Sequence, residues 1–133
     1  MALSLDPAGR TEVVAPHEIA HWRMAARLVV LSGCDSAAGE PIPGTGVFGL
    51  SRAWIAAGAR HVVATHWATP DQAGTLLVSL YRHLREQPRS GAELALCRAQ
   101  RDMIDTRGWT SRPSYWAAFF GVGTSQLTGA EPL

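Results

Sequence analysis

Two stretches of the chain are apolar on consecutive positions, and they organise everything around them. "RLVVLSG" begins at Arg27 and "RHVVATHW" begins at Arg60. A strand with one wet face alternates apolar and polar residues. An unbroken β-branched run instead predicts a parallel strand covered on both faces. Between them, "VFGLSRAWIAAGA" puts Val47, Leu50, Trp54 and Ala57 at helical spacing, with Gly58 placed to stop the helix. The unit from Arg27 to Trp67 therefore reads strand, loop, helix, strand, long enough for a right-handed parallel crossover.

The flanks follow the same logic. "ALSLDPAGRTEVV" reads as two extended pieces around a Pro/Gly turn, a hairpin at one edge. "APHEIAHW" predicts a short helix, with Pro16 in its first turn and Glu18 close behind. "GEPIPGTG" is loop. "TPDQAGTLLVSLYRHLREQ" predicts a longer helix with Thr69 as cap, Pro70 as first helical residue, Asp71 in the first turn and Leu76, Leu77, Leu80 and Leu84 as its apolar stripe. "SGAELALCRAQRDMIDTRG" predicts another, capped by Ser90 and closed near Gly108, and "SYWAAFFGVG" a terminal strand. The pattern is α/β, a mostly parallel sheet covered by helices. In such sheets reacting groups gather at the carboxyl ends of the strands. One end delivers Ser32, Gly33, Cys34 and Asp35, the other Thr65, His66 and Trp67. Neighbouring strands would turn both toward one crevice.

Composition adds mostly exclusions. The chain has 133 residues, 47% hydrophobic and 17% charged, which suits one domain with a packed core. A net charge of +1 gives no electrostatic case for nucleic acid or an anionic membrane. All 12 basic residues are arginine, scattered along the chain. No apolar run approaches the roughly 20 residues of a membrane span, and the start lacks the pattern of a secretory signal. The two cysteines, Cys34 and Cys97, make neither a disulfide framework nor a zinc spacing. The expectation is a cytoplasmic protein with a free thiol at Cys34, no metal and no cofactor. Gly44 and Gly46 do not complete a phosphate-binding glycine motif, so a nucleotide-binding domain ranks last.

Cys34 is the candidate reacting group. A cysteine nucleophile needs thiolate character and backbone N–H donors for the oxyanion. Gly33 permits close backbone approach, and Ser36, Ala37 and Ala38 leave room for a substrate. The competing reading is a small apolar side chain that merely ends a strand.

These residues resemble a known family. "RLVVLSGCDSAAGE" followed by "GTGVFGLSRAWIAAGARHVVATHW" is similar to the CHAT domain, a caspase-like family related to separases that often follows tetratricopeptide repeats. "SGAELALCRAQRDMI" resembles its penultimate helix and "PSYWAAFFGVG" its closing strand. The resemblance implies a three-layer α-β-α caspase-like fold with Cys34 as nucleophile acting on a protein or peptide substrate. It also implies a general-base histidine in a His-Gly motif on an earlier strand, and no His-Gly occurs in this chain. Residues 1–133 therefore read as the C-terminal portion of such a domain, N-terminally incomplete, with tetratricopeptide repeats expected in the full-length protein.

Among the resident histidines, His66 is the best-placed substitute base, although the family puts none there. His61 is expected to be structural, His83 solvated, and His17 and His21 surface residues. Asp35 either orients a basic group of the substrate or caps its own loop. Asp71 is either an acidic subsite or a first-turn carboxylate answering the helix dipole. Trp67 is pocket wall or core lid. Trp54, Trp116 and Phe119 are expected in the core, and Cys97 as a structural residue on a helical stripe. Two functions follow: a cysteine endopeptidase fragment inactive alone for want of its base, and a non-catalytic interaction or regulatory scaffold.

Overall fold

Among the described residues, five strands and five helices follow one another between Ala2 and Gly123. The computed structural model describes residues 2–5, 9, 11–31 and 49–124, with only the backbone described at 2–5 and 11–13. β1 (Ala2–Leu5) and β2 (Thr11–Val13) pair antiparallel around Gly9, whose φ of 78° suits a residue without a Cβ. The expected hairpin thus forms, as its own two-stranded sheet. α1 (Pro16–Ala20) follows, with Pro16 in its first turn. Glu18 reaches back to the Ala15 N–H at 2.7 Å, which satisfies a donor the helix leaves without an internal partner.

β3 (Leu28–Val30), β4 (His61–Thr65) and β5 (Phe119–Gly123) form the main sheet in that order. β3 and β4 are parallel and paired Leu28 with His61, Val29 with Val62 and Val30 with Val63. β5 runs antiparallel to β4, with Val62 opposite Val122 and Thr65 opposite Phe119. The crossover is made by α2 (Gly49–Ala56). Gly58 ends it as expected: its φ is 109°, and a Cβ there would overlap the Met24 carbonyl oxygen. The Met24 N–H donates to the Ala57 oxygen at 2.9 Å, so the chain entering β3 is tied to the turn entering β4.

Strand alternation splits the core into two layers. Val62 and Ala64 face one cluster with Ile19, Leu31, Leu50, Ala53 and Trp54, beneath α1 and α2. Val63 and Phe119 face the other, with Leu76, Leu80, Ala95, Leu96, Ala99 and Met103 of α3 (Gly74–Glu86) and α4 (Gly91–Asp105). The result is helices, sheet, helices: the three-layer α-β-α arrangement.

Local departures have local causes. Residues 71–73 form a tight 3-10 turn, the Ala73 N–H donating to the Pro70 oxygen at 2.8 Å. Pro70, expected as the first helical residue, is extended with ψ 149°, and α3 starts only at Gly74. Ser90 does not cap α4 with its side chain, because its Oγ donates backward to the Gln87 oxygen at 2.8 Å. The segment read as one terminal strand breaks in two: α5 (Pro113–Trp116) precedes β5. Pro113 favours a first helical turn. Gln100 Nε2 then donates to the oxygens of Trp116 at 3.2 Å and Phe119 at 3.0 Å, fixing the bend between them. Trp54 and Phe119 are buried, and Trp116 is partly buried against the α3–α4 layer. No helix among the described residues is long and apolar enough to cross a membrane.

Candidate functional site

Because β3 and β4 are parallel neighbours, both leave the sheet at one edge. On β3 the last described residue is Leu31, which is buried and donates its N–H to the Val63 oxygen at 2.8 Å. Gly33, Cys34 and Asp35 lie outside the described residues, as do Ser36, Ala37, Ala38, Gly44, Gly46 and Val47. On β4 the edge is occupied by Thr65, fully buried, followed by His66 and Trp67.

His66 is held in place from two directions. Its N–H donates to the Ala118 oxygen at 2.9 Å, continuing the β4–β5 ladder one step past the strand. Its ring stacks on Phe120, with centroids 4.0 Å apart and planes 22° from parallel. Phe120 faces Ala64 across the ladder and packs against the α1–α2 layer, so the His66 ring lies on that side of the sheet. Trp67 stacks more loosely on the same imidazole, at 6.2 Å and 25°. It is 44% exposed, a surface ring just past the end of β4 rather than a lid over the core. Asp71 is exposed in the 3-10 turn that leads into α3. His66 and Trp67 are thus brought together at the strand edge, backed by Phe120. Phe120 was missed in the sequence because its importance comes from β4–β5 register, which no local pattern encodes.

A second polar cluster joins the two long helices. Ser79, Arg82 and His83 stand three and four positions apart, on one face of α3. Arg82 Nη2 lies 2.6 Å and His83 Nε2 2.7 Å from Asp102 Oδ2 on α4, and Ser79 Oγ donates to the same oxygen. Burial pushes the Asp102 carboxyl up. The hydrogen bonds from Ser79 and His83, and the charges of His83 and Arg82, outweigh it and hold the carboxyl below its ordinary value. His83 is therefore not the solvated residue expected: its side chain is 15% exposed and bound to Asp102. The signal was the i, i+3, i+4 spacing of Ser, Arg and His on a helix already assigned a buried stripe.

The other histidines match their expected roles. His61 enters β4 at the end opposite His66, with Nδ1 2.6 Å from Glu93 Oε1 of α4. His17 and His21 are exposed, with His21 Nδ1 against the His17 oxygen at 2.6 Å. Cys97 departs from expectation: it is an exposed free thiol on the outer face of α4. Among the described residues no three His, Cys, Asp or Glu side chains group to hold a metal ion.

Comparison with known proteins agrees with this architecture. The family model for the CHAT domain matches residues 1–124. Tetratricopeptide repeat protein 28 of Mus musculus is 29% identical over 124 residues, 92% of this chain and 5% of that protein. Its Homo sapiens counterpart is 29% identical over 108 residues, 80% of this chain and 4% of that protein. The chain thus spans about a twentieth of the length of these relatives. No solved structure matches.

Proposed function

The chain belongs to the CHAT-domain family, a caspase-like family, and from that premise we propose that it is the cysteine-bearing, C-terminal portion of a cysteine endopeptidase. Cys34 is the nucleophile. Its thiolate adds to a peptide carbonyl, and backbone N–H groups at Gly33 and Cys34 receive the oxyanion. The C–N bond breaks as the leaving amine takes a proton, and water then hydrolyses the thioester. Trp67, Asp35 and Asp71 form the substrate-facing rim. The work is done in a reducing cytoplasm, where the thiol stays free, and within a longer protein carrying tetratricopeptide repeats, as the names of its relatives suggest.

One observation carries this reading: the parallel pairing of β3 with β4. Cys34 follows Val30 by four residues, and Trp67 follows Val63, the partner of Val30, by four, with His66 one residue before it. The cysteine segment and the His66–Trp67 pair are therefore the continuations of adjacent parallel strands. The chain has no His-Gly, so the principal base comes from elsewhere and His66 is the resident substitute. That same lack favours a second reading, a non-catalytic scaffold.

Peptide cleavage by the purified chain separates the two. The expectation is a background rate that Cys34→Ala leaves unchanged, together with rapid alkylation of Cys34 by a peptidyl electrophile that Cys97 does not share. Cleavage abolished by Cys34→Ala and by His66→Ala would make His66 the base. Cleavage clearly above background that Cys34→Ala does not reduce, or a Cys34 no more reactive than Cys97, would remove the peptidase reading and leave the scaffold.

A further inference from the structure

Between α4 and β5 the chain turns a corner that holds an aromatic ring out to solvent. β4 and β5 are antiparallel, so β5 begins at the sheet edge where β4 ends. Residues 66–73 leave from that edge. α4 starts at the opposite one, where Glu93 meets His61, and carries the chain back, so residues 106–118 return to the edge of His66 and Trp67. The join is direct. The Ala118 oxygen accepts the His66 N–H, and α5 packs against the 3-10 turn that holds Asp71.

Local bonds fix the shape of this corner. Arg107 turns the chain out of α4 with a φ of 54°, left-handed backbone that a residue with a Cβ rarely adopts. A single 3-10 turn, Trp109–Ser111, follows. Ser111 Oγ donates to the Gly108 oxygen at 2.7 Å, and Trp116 Nε1 to the Ser111 oxygen at 3.0 Å. Tyr115 meets the Trp109 ring edge to face, with centroids 5.0 Å apart and planes 70° from parallel. Tyr115 and Trp116 are in turn packed against the α3–α4 layer. Trp109 is thus braced from below and still 52% exposed. A ring held this way offers contact area at little cost in side-chain entropy. Residues 106–118 also carry Arg107 and Arg112, both exposed, and no acidic residue. Neither arginine has an ion pair among the described residues.

We propose that this corner docks an extended segment of a partner polypeptide, one that carries an aromatic side chain between carboxylates. The aromatic side chain packs on Trp109 and Tyr115, and the carboxylates meet Arg107 and Arg112. The ring supplies affinity, and the charges supply selectivity. From there the segment runs along the same sheet edge toward Trp67. That it is a segment of the substrate rests on the peptidase reading; that it docks at Trp109 does not.

The test uses the whole chain and a capped, labelled peptide with Glu-Phe-Glu at its centre, beside counterparts with Lys-Phe-Lys and Glu-Ala-Glu. By fluorescence anisotropy the Glu-Phe-Glu peptide should bind at least about tenfold more tightly than either. Trp109→Ala should erase its advantage over Glu-Ala-Glu. Arg107→Gly with Arg112→Ala should erase its advantage over Lys-Phe-Lys and leave circular dichroism unchanged, since glycine suits a φ of 54°. Equal binding of the three peptides, no binding, or a preference that survives these variants overturns the proposal. So does a dimer in sedimentation that Trp109→Ala disperses, because a second copy then covers the ring. Alkylation of Cys34 is read separately. Selective binding with an unreactive Cys34 removes the peptidase reading and keeps the docking site; a reactive Cys34 without selective binding does the reverse.

Discussion

β3 and β4 are parallel neighbours that share valine at two of their three paired positions, Leu-Val-Val against His-Val-Val, and they end up in different surroundings. Val62 and Ala64 are 0% exposed and Val63 2%, whereas Leu28, Val29 and Val30 are all partly open. The difference is not in the side chains. β4 has a strand on each side, α2 beneath one face and the α3–α4 layer over the other. Among the described residues, β3 has one neighbouring strand and a cavity beside it. An apolar run states how much cover a strand needs, and topology decides how much it receives. The candidate site inherits the asymmetry, because its described half, His66 with Trp67 and Phe120, hangs from the covered strand.

The comparison can be broken at its hinge. Gly58 turns α2 into β4 while sitting against the Met24 carbonyl on the approach to β3. Gly58→Ala adds a Cβ at a φ of 109° and into that oxygen. It should cost about 3 kcal/mol, by left-handed strain plus overlap. Urea denaturation gives the number. A cost below about 1 kcal/mol would mean that the tie between the two strands is not rigid.

A pair of identical truncations sharpens it. Val63→Ala removes two carbons from a closed site over Leu76, Leu80 and Leu96, and should cost about 2.5 kcal/mol through lost transfer energy and the cavity left behind. Val30→Ala makes the same cut on the same face one strand over, where the site is part open, and should cost about 1 kcal/mol. Equal costs would show that the β3 edge is covered in solution.

This asymmetry also marks what could be read from sequence. The strands, the crossover, α1 and the α3 stripe were legible because each rests on local periodicity or on a terminal residue such as Pro16 or Gly58. The caps at Thr69 and Ser90 misled. A serine next to a turn has two acceptors to choose from, and Ser90 took the Gln87 oxygen. The closing segment misled because Gln100, thirteen residues before Pro113, decides where helix stops and strand starts. At the site, the pairing of His66 with Trp67 follows from adjacency in the chain. Its support by Phe120 depends on strand register and could be seen only once β5 was placed.

The smallest effect tests the roof above the covered strand. Asp102 ties α4 to α3, and its carboxyl is held below its ordinary value by Ser79, His83 and Arg82 against the pull of burial. A carboxyl with a depressed folded pKa binds fewer protons folded than unfolded across the window between its two pKa values. The unfolded chain releases that proton near the ordinary value of 3.8, so the stabilisation is complete above it and disappears as pH falls through the folded pKa. Asp102→Asn should therefore lower stability near pH 7 by only about 0.5 kcal/mol, since the side chain is 41% exposed and solvent screens the pairs. The variant and the parent should converge once pH falls below the depressed folded pKa of Asp102. Amide exchange places the loss: α3 and α4 should loosen together while β4, also gripped by β3 and β5, keeps its protection. If β4 loosens equally, its cover depends on this one carboxylate more than on the strands beside it.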